Sequence, residues 1–211
     1  LFFILSCSVF LYTAVRASTP RNLLQKQTDE LGMKQALLSK EQWIKYPLYT
    51  DRAGWNQFLG TNKEGFIKAG EAQLGYKWQV IRATDYLEFS RSGSRTIMED
   101  PYSQNLNAIA LLFLAEMAEG KGRFTDQLIN GVFAACEMTS WALSAHLPLQ
   151  MKNKRIPDHH QQVIDLLAGD VGSMFSCIYF FLHKEFDKAD PLISQRLKDE
   201  IQRRILEPYM N

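Results

Sequence analysis

Glu137, Ser140, Trp141 and Ser144 fall at i, i+3, i+4 and i+7, the spacing that puts four side chains on one face of a helix. They belong to the run Gln127-Leu-Ile-Asn-Gly-Val-Phe-Ala-Ala-Cys-Glu-Met-Thr-Ser-Trp-Ala-Leu-Ser-Ala-His146, which is otherwise heavily apolar. A carboxylate and an indole on such a helix suit a saccharide groove. The indole stacks on the face of a sugar ring, and the carboxylate accepts sugar hydroxyls or orients a cation. His146 ends the same run and is placed at the groove's edge. The same residues also have a plain structural reading, with Glu137 buried against an arginine and Trp141 filling core. Hydrolysis of a glycosidic bond uses two carboxylates. Glu137 with Asp165 or Asp170 makes formal pairs, of a kind that any helical protein offers.

Other chemistries find little support. Neither GxxxxGK[ST] nor GxGxxG occurs, and Gly120-Lys121-Gly122 reads as a turn between helices because a phosphate loop needs a preceding strand. There is no HExxH. His159 and His160 are adjacent, so on a helix they would point about 100° apart and could not share a metal; they read as loop residues beside an N-cap at Asp158. His183, next to Lys184, reads as a helix-end residue facing the dipole. Cys7, Cys136 and Cys177 form no CxxC, and the latter two read as buried free thiols in apolar helices. No metal and no cofactor is expected. The net charge of +1 argues against a nucleic-acid partner.

These residues must be positioned by helices. No period-two alternation bounded by turns survives inspection, whereas helix signals are dense. The spacing predicts a helix over Arg21 to Leu38. Ser39-Lys-Glu-Gln42 is a capping box opening a helix that Pro47 ends. Asp51 caps a helix through Phe58 closed by Gly60, and Thr61-Asn-Lys-Glu64 is a second capping box for a helix to about Leu74. Thr84 is expected to cap Asp85 to Arg91, with Gly93 as the stop. Asn105 to Glu119 is apolar enough to be covered on most sides, Gly120 ends it, and Thr125 is expected to cap the helix that follows. Gln161 to His183 forms the next, with Asp165, Gly169, Ser173 and Ser176 as a small-residue side. After Pro191, Ile193, Leu197, Ile201 and Ile205 stand four apart; the Asp199→Arg203 and Glu200→Arg204 pairs predict an outer, solvent-facing helix.

The expected architecture is all-α, built of antiparallel helical hairpins in layers. A toroid is the closed form of such an array and a solenoid the open form; the lack of a fixed sequence period counts against a regular solenoid. At the amino terminus Leu1 to Tyr12 is apolar, and Val15-Arg16-Ala17 before Ser18 has the small-residue character of a processing site. We expect a truncated secretory signal over residues 1–17, a body over 18–211, and no membrane span once the signal is removed. The expected location is exported, periplasmic or secreted, in a bacterium.

Several blocks carry a family resemblance: Ala83-Thr-Asp-Tyr-Leu-Glu-Phe-Ser-Arg-Ser-Gly93, Phe113-Leu-Ala-Glu-Met-Ala-Glu-Gly-Lys-Gly-Arg-Phe124, Cys136-Glu-Met-Thr-Ser-Trp141, Val163-Ile-Asp-Leu166 and Arg204-Ile-Leu-Glu-Pro-Tyr209. Over most of the chain after about Lys40 it resembles the amino-terminal helical domain of bacterial heparinase II/III-like proteins. The resemblance implies part of an incomplete α/α toroid, followed in the family by a β-sandwich. It implies an exported lyase that cleaves acidic, uronate-containing polysaccharides by β-elimination. In such lyases an Asn or His neutralises the uronate carboxylate, and Tyr and His serve as base and acid. Those family segments come after the Pro-Tyr-Met-Asn region, so no catalytic residue carries over to this chain, which is expected to be inactive alone. Glu137 and Trp141 match the family's helix and are expected to have only a substrate-groove or site-supporting role. Two other classes stay open: a noncatalytic helical carbohydrate-binding or scaffold module, and an α/α-toroid glycoside hydrolase.

Overall fold

The computed structural model describes residues 30–39, 42–43, 46–149 and 154–210. The chain divides into two compact units, residues 1–45 and 46–211. In the first, α1 (Glu30–Ala36) is described, and Ser39 and Gln42 exchange the reciprocal side-chain to backbone bonds of a capping box at 3.0 and 3.3 Å, but the helix expected to follow is not formed at Gln42 and Trp43. The secretory signal expected over residues 1–17 and Cys7 lie outside the described residues.

The second unit's α-helices are α2 (Arg52–Leu59), α3 (Lys63–Glu71), α4 (Ala83–Ser92), α5 (Thr96–Glu119), α6 (Thr125–Glu137), α7 (Leu166–Asp187), α8 (Pro191–Ile201) and α9 (Glu207–Met210). A π-helical turn over Gln202–Leu206 joins the last two, and a 3-10 turn covers Ser144–Leu149. Among the described residues there is no strand, only an isolated bridge between Asp158 and Gln161. The all-helical expectation therefore holds.

The helix ends follow local chemistry. Asp51 caps α2 by accepting from the Gly54 N–H, and Asp190 caps α8 with Pro191 in its first turn. Gly93 and Gly120 end α4 and α5 at φ 78° and 66°, where a side chain would strain the backbone. Other expected caps are not used. Arg82 rather than Thr84 is the cap residue of α4, its N–H donating to Asp85 at 2.8 Å. Thr61 to Glu64 makes no capping bond, because a 3-10 turn over Gly60–Asn62 feeds α3 directly. Thr125 opens α6 without capping it. Asp165, not Asp158, caps α7, accepting from the Ala168 N–H at 2.8 Å.

Packing centres on α5, which is buried on several sides through Met98, Tyr102, Ile109, Leu112, Ala115 and Met117. Its 24 residues begin nine before the expected start and include Pro101. Helix α3 lies against α5 where Gly70 meets Ala115; a Cβ on Gly70 would stand 2.2 Å from that of Ala115. Helix α7 packs on α8 and the π turn, with Gly172 against Ile205. Of the expected small-residue side, Gly169 faces open space, so the close approach is made at Gly172, one residue off that register. By length and composition α7 could cross a membrane, but Val171, Phe175, Ile178, Leu182 and Phe186 are buried in the core here.

Two arginines, a half-buried Arg52 and a buried Arg204, tie the core together. Arg52 donates to the carbonyls of Met117 and Ala118 at the end of α5. Arg204 donates to those of Cys136 and Met138 at the end of α6, and to Glu200 at 2.6 Å. Each satisfies carbonyls that a helix end leaves without partners. The last helix is therefore not simply outer and solvent-facing. Arg204 is 2 % exposed and Glu200 is buried. The Glu200–Arg204 pair forms, but Asp199 takes Gln195 and Arg203 turns to Glu200. Glu116 is also buried, accepting from the Tyr49 hydroxyl at 2.6 Å and from the Gly122 and Phe124 N–H groups, which fixes the turn between α5 and α6.

Candidate functional site

Helix α6 stops at Glu137, and Met138 is extended at φ −65°, ψ 143°. The long helix expected through His146 is thus cut short. Ser140 contributes to the break: its hydroxyl accepts from the Ala142 N–H, a local bond that competes with helical pairing. Glu137, Ser140, Trp141 and Ser144 consequently do not share a helix face.

Trp141 turns back into the core and is 1 % exposed. Its indole N–H donates to the Ala135 carbonyl at 3.0 Å, its ring meets Phe175 edge-on at 5.2 Å, and the Arg204 guanidinium lies 4.9 Å from the ring centre. No face is left for a sugar, so its expected groove role is corrected to core. His146 sits elsewhere. Its Nδ1 lies 2.6 Å from the Asp165 carboxylate, which also accepts from the Leu143 N–H. Asp165 is consumed by capping and by holding this turn, and Asp170 is exposed on α7.

Glu137 alone keeps an open position. Its side chain is 54 % exposed and meets Arg196 at 3.3 Å. It lies where two adjoining hollows of about 230 and 180 Å³ share Ile81, Glu137 and Met138 as walls. One hollow runs along the extended segment 77–82 toward Trp78 and Asn105; the other runs toward Tyr86, Ile156 and Pro157. Glu137 is the one carboxylate lining either, so the two-carboxylate arrangement of a hydrolase is not assembled here.

Asn105 on α5 holds the extended segment in place. It accepts from the Gln79 N–H and the Tyr76 hydroxyl and donates to the Gln79 carbonyl, standing in for a strand partner. Gln127 on α6 donates to the Tyr76 carbonyl at 2.7 Å. Trp78 is thereby laid on Gly131, where a Cβ would come within 2.3 Å of the indole, and its buried indole N–H has no hydrogen-bond partner. Sequence reasoning did not single out Trp78. The signal open to it was Gly131, a glycine inside an apolar helix, which asks what packs on it.

The remaining candidates have structural places. The His159 and His160 rings lie tilted against each other, 3.7 Å between centres, in the loop before α7, and no cluster of His, Cys, Asp and Glu able to hold a metal occurs among the described residues. His183 bonds the Tyr179 carbonyl through Nδ1 at 2.8 Å and stacks on that ring. Both described cysteines are free. Burial pushes the Cys136 thiol up to about 12, whereas Cys177, expected to be buried, is exposed. The chain matches no protein-family model and no curated protein.

Proposed function

We propose that this chain is the amino-terminal helical part of an exported polysaccharide lyase acting on uronate-containing polymers, its helices forming antiparallel hairpins of an incomplete α/α toroid. Its part is to wall the substrate groove at Glu137; none of the described residues is assigned the base or acid of the elimination. The observation that carries the reading is the joining of two blocks of the resemblance. Cys136 to Trp141 and Arg204 to Tyr209 lie far apart in sequence, yet Arg204 binds the Cys136 and Met138 carbonyls and covers Trp141. The test is incubation of the full-length parent protein with heparin, heparan sulfate and alginate, following the ultraviolet absorbance of unsaturated uronate. Absence of a rise on every uronate polymer would sink the reading.

A noncatalytic saccharide-binding module is the second reading. What favours it is a cleft that pairs one exposed carboxylate with a buried, unpartnered indole N–H on Trp78. It predicts glycan binding by this chain, weakened by Glu137→Ala, with no turnover by the parent.

A further inference from the structure

Tyr86 on α4 and Ser144 in the 3-10 turn line a hollow of about 230 Å³ that does not include Glu137. Lys154 and Arg155 line the same hollow, with Phe89 and Pro148 as its apolar wall. No carboxylate is among its lining residues. Lys154 pairs with Asp158, which lies outside the lining, and Arg155 is exposed. The side-chain oxygens of Tyr86 and Ser144 are both buried, and neither has a hydrogen-bond partner. Buried hydroxyls nearly always find one, so these two orphans, on residues that both line this hollow although Tyr86 also walls the one beside Glu137, are a departure to be accounted for. Both hydroxyl hydrogens can rotate toward an oxygen seated there. The neighbouring hydroxyl of Ser90 is already spent on the Leu87 carbonyl at 2.9 Å.

Two unpartnered hydroxyls, an exposed Arg155 and a Lys154 shared with Asp158, with no carboxylate in the lining itself, make a setting that favours an anion over a cationic ligand. We infer that this hollow binds an oxyanion group, a carboxylate or a sulfate, whose carrier packs on Phe89 and Pro148. That the carrier is an acidic sugar rests on the saccharide reading above; the oxyanion chemistry rests on the hollow alone.

The experiment is a nuclear magnetic resonance titration of the 211-residue chain at fixed ionic strength, balanced with chloride. The probes are sodium sulfate, sodium acetate, sodium glucuronate and neutral glucose. The expected result is saturable shifts of the Tyr86 and Ser144 amides with sulfate or with the two carboxylates, and none with glucose. The sulfate and carboxylate arms decide which oxyanion fits. The double variant Tyr86→Phe, Ser144→Ala is expected to weaken binding about tenfold while keeping the fold, since neither hydroxyl has a partner to lose. Arg155→Gln, at an exposed position, is expected to weaken it as well. Absence of saturable shifts up to tens of millimolar overturns the inference, as does equal binding of glucose or binding unchanged in both variants. Binding of sulfate or acetate without glucuronate keeps the oxyanion site and removes its saccharide carrier. None of these outcomes depends on whether the parent protein turns over polysaccharide.

Discussion

The Arg204 guanidinium donates to the Cys136 carbonyl at 2.9 Å, so a residue near the end of the chain closes the end of a helix in its middle. The same side chain covers Trp141 and pairs with Glu200. Helix α6 therefore stops at a defined residue, and Glu137, next to the capped carbonyl, is held at the surface. The position of the candidate site depends on this long-range cap more than on the helix that carries it.

Arg204→Met tests the cap. Methionine fills much of the volume but leaves the Met138 carbonyl without its Arg204 donor, the Cys136 carbonyl with only the 3.4 Å bond from Arg196, and Glu200 with only Arg196 and Arg203. Breaking a buried pair from one side costs about 3 kcal/mol. Urea denaturation of the variant should show a loss of that order. A loss under about 0.5 kcal/mol, the range of ordinary surface changes, would show that the cap is not structural.

Acid stability should follow the same cluster. Burial raises the Glu200 carboxyl, but the hydrogen bonds from Arg204 and Arg203 outweigh it and hold the group below the usual carboxylate range. Asp85 is held down in the same way, burial being outweighed by Arg82; Glu119 is held down first by its bond from Arg123. A depressed carboxyl contributes stability above its unfolded pKa of about 4.3 and loses it as pH falls through the folded value. Stability should thus decline below about pH 4.5. In Glu200→Gln the decline should be shallower, as read from denaturation midpoints across pH. An unchanged slope in that variant would remove Glu200 from the account.

Two glycines should answer oppositely to alanine. A Cβ on Gly131 meets the Trp78 indole at 2.3 Å and Ile109 at 2.8 Å, so Gly131→Ala forces Trp78 to move. Overpacking of this kind costs about 2 kcal/mol. Gly169 in α7 has open space around it, and Gly169→Ala should gain about 0.5 kcal/mol from helix propensity. Thermal denaturation and tryptophan fluorescence separate the cases: the emission should change in Gly131→Ala and not in Gly169→Ala.

What could be read from the sequence was local. Gly93, Gly120 and Asp51 mark helix boundaries because each acts through neighbours a few residues away. The apolar positions of the last helix were legible as well, since Leu197 and Ile201 are buried on one side of it. The fate of Glu200 and Arg204 was not legible: an i, i+4 ion pair has the same pattern on a wet surface as against a buried carbonyl. Trp141 misled for a related reason. Its helical spacing from Glu137 assumed a helix that a serine turn and an arginine cap end four residues earlier. Trp78 stayed hidden because an indole in a polar stretch becomes a site only once Gly131 and Asn105, which are remote in sequence, set its place.

Glu137 and Trp141 should therefore part company when each is replaced by alanine. Trp141 is enclosed by Phe175, Arg204 and its own bond to Ala135, so Trp141→Ala leaves a large cavity and costs about 4 kcal/mol. Glu137 is mostly solvated and its ion pair with Arg196 is exposed, so Glu137→Ala should change stability by no more than about 0.5 kcal/mol. If the cleft binds saccharide, Glu137→Ala weakens binding of acidic or neutral oligosaccharides in a protein that melts normally. Any binding loss in Trp141→Ala should instead track its unfolded fraction and recover at lower temperature or milder conditions. Calorimetric titration beside a melting curve for each variant distinguishes the two. Normal binding by Glu137→Ala would move the saccharide site away from this cleft. A stable Trp141→Ala protein that had lost binding would restore the indole to the groove.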